Sequence, residues 1–218
     1  TQGYIRLHQL KGSTTAGGDS NGADMVIFEV WKVEDTFYAI EEGSTWRFLQ
    51  GTAEASTPDT GAWRQLGFND GSWLVGAAPI GYNDPGIVTD LSLLTPPMRN
   101  NYTSVFLRQT FELSAPGAVN QLTARADYDD GFLIWINGTE VLRVNVPGLE
   151  GEPIAFSDLA LSQHDSGLPE EYSLPEPSGY LAAGTNVVAV QVFNNSLTSS
   201  DLKFELSLFD PVAPDLKP

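Results

Sequence analysis

The sequence has no cysteine, only two histidines and two methionines, and few basic residues. Without cysteine there is no disulfide framework, no thiolate metal site and no thiol nucleophile. His8 and His164 are too few for a three-histidine zinc centre. Eleven Lys and Arg stand against twenty-eight Asp and Glu, a formal net charge of −17. Such a surface repels phosphate, which argues against nucleic acid or an anionic membrane as a partner. No apolar run reaches the roughly 18 residues of a membrane helix, so membrane insertion is not expected. No basic-then-apolar leader opens the chain, so a mature protein or an excised piece is expected. Helical periodicity is nearly missing as well.

What is present is a series of short apolar runs broken by Gly, Pro, Asn and Asp, with 21 Gly and 14 Pro in 218 residues. That is the pattern of an all-β fold, an antiparallel β-sandwich. Strands are expected at 3–10, within 24–40, and at 45–50, 104–113, 121–127, 131–136, 139–144, 186–193 and 202–209. Residues 51–62, 66–100 and 145–180 read as surface loops or ordered irregular stretches. The rhythm changes at Glu41–Ser44. The expected organisation is a strand-rich leader over 1–43, a sandwich over 44–210, and a Pro-rich tail or linker over 211–218. The leader is either extra strands of the sandwich or the end of a preceding domain. A hairpin of that size is not stable alone, so it is expected to dock.

The segments follow one another as TWRFLQGTAEA (45–55), WRQLGFNDGSW (63–73), GAAPIGYND (76–84), SVFLRQTFEL (104–113), ADYDDGFLIWINGTEVLRVNVP (126–147) and LAAGTNVVAVQVFNNSLTSSDLKFELSLF (181–209). This order resembles a galactose-binding-like jelly-roll domain, similar to carbohydrate-binding modules of secreted bacterial multidomain proteins. The sugar-binding domain of β-galactosidase-type enzymes has the same W-x-N-G hairpin and G-x-N-x-x-A-V strand. The resemblance covers 45–209. It implies a jelly roll, a secreted or cell-surface location, and loop ends that bind carbohydrate. The leader's GYIRLHQL and MVIFEVWKV look like the closing strands of a secreted metallophosphoesterase or a similar hydrolase. That likeness implies a catalytic part upstream of Thr1.

Individual motifs have physical readings of their own. Asn137-Gly138, between two apolar runs, signals a type I′ hairpin. Phe132–Ile136 is apolar on both faces, so Leu133 and Trp135 need a second cover. That cover is the stretch 145–180, another layer, or a sugar stacked on the indole. Trp63, Phe68, Trp73 and Tyr82 read as anchors of a long loop, with a sugar-stacking rim as the alternative. Tyr128, Phe193, Asn194 and Asn195 fall at strand ends, where Asn amides suit sugar hydroxyls.

Asp127-Tyr128-Asp129-Asp130-Gly131 is the densest carboxylate cluster. Asp127, Asp129 and Asp130 are the first candidate ligands for Ca²⁺, which takes several hard oxygens. The run resembles the Asp-Asp-Gly loop of protective-antigen-type lectin domains, where paired Asp hold calcium that contacts sugar. The alternative is an Asx-type turn with Gly131 at positive φ. Asp19, Asn21 and Asp24 alternate oxygens through a Gly turn and form a second calcium candidate. Gly18-Asp19-Ser20-Asn21-Gly22 matches G-x-S-x-G but lacks the following helix of a nucleophile elbow. His164-Asp165-Ser166 are adjacent, and a triad needs its members from separate elements.

The expected function is therefore a non-catalytic, carbohydrate-binding accessory module, braced by Ca²⁺. Tyr128, Asp129, Asp130, Trp135, Asn194 and Asn195 are the candidate ligand contacts. The rivals are a structural spacer or docking domain, and the C-terminal fragment of a secreted hydrolase. No nucleophile–base constellation supports a free-standing enzyme.

Overall fold

The computed structural model describes residues 36–211 in full, preceded by the backbone of two strands, β1 (Tyr4–Gln9) and β2 (Val26–Trp31). These two pair antiparallel, Tyr4 opposite Trp31 and Gln9 opposite Val26. Thr1–Asp35 form one compact unit and Thr36–Pro218 another. The division falls between Asp35 and Thr36 rather than at residue 43. The next strand, β3 (Phe37–Ile40), hydrogen-bonds to β14, as an extra strand of the sandwich would. Asp19, Asn21 and Asp24 lie outside the described residues.

The second unit is an all-β sandwich of two sheets. The remaining strands are β4 (Thr45–Gln50), β5 (Leu74–Ala77), β6 (Ile80–Tyr82), β7 (Thr89–Asp90), β8 (Ser104–Leu113), β9 (Thr123–Asp129), β10 (Gly131–Ile136), β11 (Thr139–Val144), β12 (Glu170–Ser173), β13 (Gly184–Phe193) and β14 (Leu202–Asp210). One sheet runs β11-β10-β13-β8-β4-β5. The other runs β12-β9-β14-β6-β7, with β3 on the far end of β14. All neighbours are antiparallel except β6 and β7. β5, β6, β7 and β12 fall in stretches read as irregular. They are two to four residues long among Gly and Pro, too short to show a period.

Alternation decides which side chains enter the main core. Along β9, Ala124, Ala126 and Tyr128 point between the sheets, while Arg125 and Asp127 point out. Along β14, Leu202, Phe204, Leu206 and Leu208 point in. β10 is buried at all six positions. Its Phe132, Ile134 and Ile136 face the main core, and Leu133 and Trp135 face a second cluster on the sheet's other side. That cluster is completed by Trp63, Trp73, Phe106, Val146, Ile154, Ala160, Ala189 and Phe193. The expected cover from 145–180 is present, together with the aromatic loop that Trp63 and Trp73 anchor.

The W-x-N-G hairpin and the G-x-N-x-x-A-V strand are tied to each other. Asn137 and Gly138 hold φ of 51° and 85°, as a type I′ turn requires. Asn137 Nδ2 donates to Asn186 Oδ1 (2.7 Å) and Tyr180 O (2.9 Å). The Val187 N–H donates back to Asn137 Oδ1 (3.0 Å). Asn186, fully buried, also donates to Ala182 O and Gly184 O. Two motifs distant in sequence thus form one polar lock.

Candidate ligand-binding surfaces

Strand register gathers one end of the sandwich. Gly131 opposes Phe193, which opposes Ser104, while Gln50 opposes Val105. In the other sheet Asp129 opposes Lys203 and Tyr82 opposes Leu202. Most of the candidate ligand residues therefore sit at this end, but their side chains do different work.

Asp130 is 1% exposed. Its Oδ1 accepts the His164 N–H (2.8 Å), its Oδ2 accepts the Asn195 N–H (2.7 Å), and its carbonyl accepts Asn145 Nδ2 (2.9 Å). It clamps three loops, and Asn195 takes part through its backbone. Tyr128 is buried in the core, edge-on to Phe132 (4.7 Å) and stacked on His164 (4.1 Å, 5°). His164 continues outward, with Nε2 at 3.0 Å from Glu170 Oε1. Glu170 is held below the usual carboxylate range, first by the Tyr172 hydroxyl and then by His164. Trp135, expected under a loop or against a ligand, lies under loops at 2% exposure. Trp63 meets it edge-on at 5.5 Å, and the Arg64 guanidinium sits 4.0 Å from its ring centre.

Of Asp127, Asp129 and Asp130, read from sequence as one ligand set, Asp127 is set apart, while Asp129 and Asp130 stay close enough for Asp130 to raise the Asp129 carboxyl. Asp127 points outward, where Oδ2 pairs with Lys203 Nζ (2.9 Å) and Oδ1 accepts the Gly167 N–H (2.6 Å). Gly131 is not at positive φ. It is glycine because a Cβ there would lie 2.8 Å from Asn145 O and 3.0 Å from Val144 O. Among the described residues no three acidic or histidine side chains stand together as a ready-made metal cage.

Asp129 and Asn194 are different. They are 4% and 1% exposed, and the Oδ1 atom of each is buried without a hydrogen-bond donor. Burial, followed by the charge of Asp130 and then of Asp201, pushes the Asp129 carboxyl up to about 8. Asn194 Nδ2 donates to the Tyr82 hydroxyl (3.1 Å), which donates to Ser199 O (2.9 Å).

The same end also carries an apolar notch of about 360 Å³, walled by Tyr102, Phe156, Leu159 and Leu197. Leu159 and Leu197 are 40% and 46% exposed.

A second surface lies away from the loop end, on the outer face of β9 and β14. It is an open cleft of about 700 Å³ lined by Tyr38, Glu41, Glu42, Arg125, Glu171, Ser207 and Phe209. The Tyr38 and Phe209 rings lie 5.5 Å apart at 33° and make an apolar plate. Arg125 pairs with Glu42 at 3.6 Å. The cleft continues past Glu205 towards Lys203 and Asp127. Burial raises the Glu205 carboxyl, although the Gly43 and Leu206 N–H groups donate to it. Sequence reasoning missed this surface. Its signal was the outward register of β14, Lys203-x-Glu205-x-Ser207-x-Phe209, beside Arg125 and Asp127 of β9.

No protein-family model matches the sequence, and no curated protein does. Solved structures similar to this chain include Bacteroides uniformis β-glucuronidase 2 bound covalently to cyclophellitol-6-carboxylate aziridine. It is 16% identical with a TM-score of 0.49, over 80% of this chain and 18% of that one. An uncultured Clostridium β-glucuronidase is 17% identical with a TM-score of 0.47, over 85% and 31%. Faecalibacterium prausnitzii β-glucuronidase is 18% identical with a TM-score of 0.43, over 75% and 22%. The chain spans less than a third of the length of each.

Proposed function

We propose that this chain binds carbohydrate without transforming it, as an accessory module of a larger secreted or cell-surface protein. The observation that supports this reading is the outer-face cleft. An apolar plate of two rings suits the C–H face of a pyranose, and fixed carboxylate, guanidinium and hydroxyl groups beside it suit the hydroxyls. Tyr38 and Phe209 supply the plate. Arg125, Glu42, Glu171 and Ser207 supply the polar rim. The site is open enough for a chain to run through rather than end in it, so a polysaccharide is the expected ligand. Weak binding at one such cleft holds a linked catalytic domain near its polymer by raising the effective concentration.

The test is retention on a panel of soluble and insoluble polysaccharides, comparing the wild-type chain with Tyr38→Ala and Arg125→Ala. Retention on one polymer class, weakened about tenfold or more by Tyr38→Ala, supports the reading. That factor is the loss of roughly 1.4 kcal/mol of binding energy. No retention on any polymer sinks it.

The apolar notch supports a second reading, a docking domain that seats a neighbouring domain on Leu159 and Leu197. Polysaccharide retention lost on Leu159→Ser but kept on Tyr38→Ala would make the notch the sugar site and overturn the docking reading.

A further inference from the structure

We propose that the outer-face cleft selects polysaccharides that carry primary ammonium groups, that is, amino-sugar polymers with free amines. The proposal rests on the carbohydrate reading of that cleft and specifies the charge of the sugar.

Strand register sets out this face row by row. Phe209 of β14 lies opposite Tyr38 of β3 on one side and Thr123 of β9 on the other. Outward residues recur at every second position along a strand. The next row therefore holds Ser207, Arg125 and Glu171, from β14, β9 and β12. The row after it sets Glu205 directly opposite Asp127. A plate of two rings, 5.5 Å apart, thus leads into a strip flanked by carboxylates.

The basic groups on the strip are already engaged. Lys203 Nζ holds Asp127 (2.9 Å), and Arg125 lies 3.6 Å from Glu42. Among the residues that line the open cleft, Glu41, Glu42 and Glu171 stand against one arginine, Arg125. That leaves an excess of negative charge beside the rings. Glu205 registers the same excess. Burial is the first cause that raises its carboxyl, and the charges of Glu42 and Asp127 act in the same direction.

An ammonium group is attracted by both halves of this surface. A ring face draws a cation within about 6 Å of its centre. A carboxylate accepts its charge-assisted hydrogen bonds. A uronate or sulfated polymer meets the same rim as repulsion. A neutral sugar gains the stacking and ordinary hydrogen bonds only. The rings therefore hold any pyranose, and the acidic rim chooses among them.

The experiment measures affinity of the whole chain for four probes of similar length. These are a glucosamine oligomer with free amines, its fully N-acetylated counterpart, an oligogalacturonate and an oligolysine. Weak acid keeps the amines charged and the exposed carboxylates ionised. The glucosamine oligomer is expected to bind about tenfold more tightly than its acetylated counterpart, with the advantage shrinking as salt rises. Tyr38→Ala is expected to weaken both sugars. Glu42→Gln and Glu171→Gln are each expected to weaken the amine-bearing one, by about threefold. Both glutamates are exposed, so these variants are expected to fold.

Equal binding of the two glucosamine probes, or a preference for the oligogalacturonate, overturns this inference and leaves the carbohydrate reading standing. An amine preference untouched by both glutamate variants overturns it as well. So does oligolysine binding that is equally tight and indifferent to Tyr38→Ala, since the net charge of −17 would then be the whole attraction. Binding of neither glucosamine probe also overturns it, and the polysaccharide panel then decides whether the carbohydrate reading falls with it.

Discussion

The two sheets of this sandwich treat their outer faces in opposite ways. Behind β10, β13 and β8 the face is apolar and closed. Trp63, Trp73, Phe106 and Trp135 stack there under the loop around residues 62–73 and under Val146, Ile154 and Ala160. Behind β9 and β14 the outward residues are Arg125, Asp127, Lys203, Glu205, Ser207 and Phe209, and the face opens as a cleft. The closed face is a second small core. Its cover is the chain's own, so its aromatics serve stability. On the open face the aromatic pair Tyr38–Phe209 has polar and charged neighbours along the cleft, the arrangement on which the proposed carbohydrate contact rests. An indole is thus a poor guide to function until its cover is known. Of the two kinds of aromatic cluster here, the larger one is structural.

The most drastic way to break this comparison is Trp63→Ala. Trp63 is fully buried and meets Trp135 at 5.5 Å, Phe106 at 5.0 Å and Trp73 at 6.2 Å. Removing it leaves a cavity under two loops and strips Trp135 of its cover. The expected cost is about 3–5 kcal/mol in denaturant unfolding. A cost below about 1 kcal/mol, the level of an ordinary surface substitution, would mean that the closed face is not a core.

The closed face also shows how much could be read in advance. The double-sided apolar run Phe132–Ile136 required a second layer, and the strands β4, β8, β10 and β11 stand where period and turn signals put them. The loop-end position of Asp129, Asp130, Asn194 and Asn195 was legible too, since strand ends in an antiparallel sandwich converge. Which Asp does what was not. Asp127 is neutralised by a lysine that lies 76 positions on in the sequence (203 − 127). Asp130 is satisfied by backbone N–H groups from 163–165 and from β13's end. Such partners come from tertiary structure, and composition does not announce them. The open cleft was missed for a related reason. Tyr38 and Phe209 lie at opposite ends of the sandwich sequence, and only the strand pairing of β3 with β14 brings their rings together.

Between the two faces, at the loop end, Asp129 gives a pH signature. Its carboxyl is pushed from 3.8 up to about 8 by burial, with the charges of Asp130 and Asp201 adding to it. Between about pH 4 and pH 8 the folded chain therefore keeps a proton that the unfolded chain has lost. Stability from this group must fall as pH rises through that window and level off above it, with a slope of at most about 1.4 kcal/mol per pH unit. Tm measured from pH 5 to 8 is expected to decline, and Asp129→Asn is expected to flatten the decline. A wild-type Tm that rises over the same range would show that another group dominates, and a decline untouched by Asp129→Asn would clear Asp129 of it.

The smallest expected effect sharpens the comparison most. Tyr38→Ala truncates an aromatic on the open face just as Trp63→Ala does on the closed one. Tyr38 is 37% exposed, and its ring partner is Phe209. An aromatic pair of this kind contributes about 0.5–1.5 kcal/mol, and at a solvent-facing position the lower half of that range is expected. Unfolding of Tyr38→Ala should therefore lie within about 1 kcal/mol of wild type, while retention on polysaccharide drops. Stability and binding would then separate cleanly between the two faces. If Tyr38→Ala instead cost as much as Trp63→Ala, the outer face of β14 would be a covered structural surface in the folded protein, and the ligand would have to be sought at the loop end.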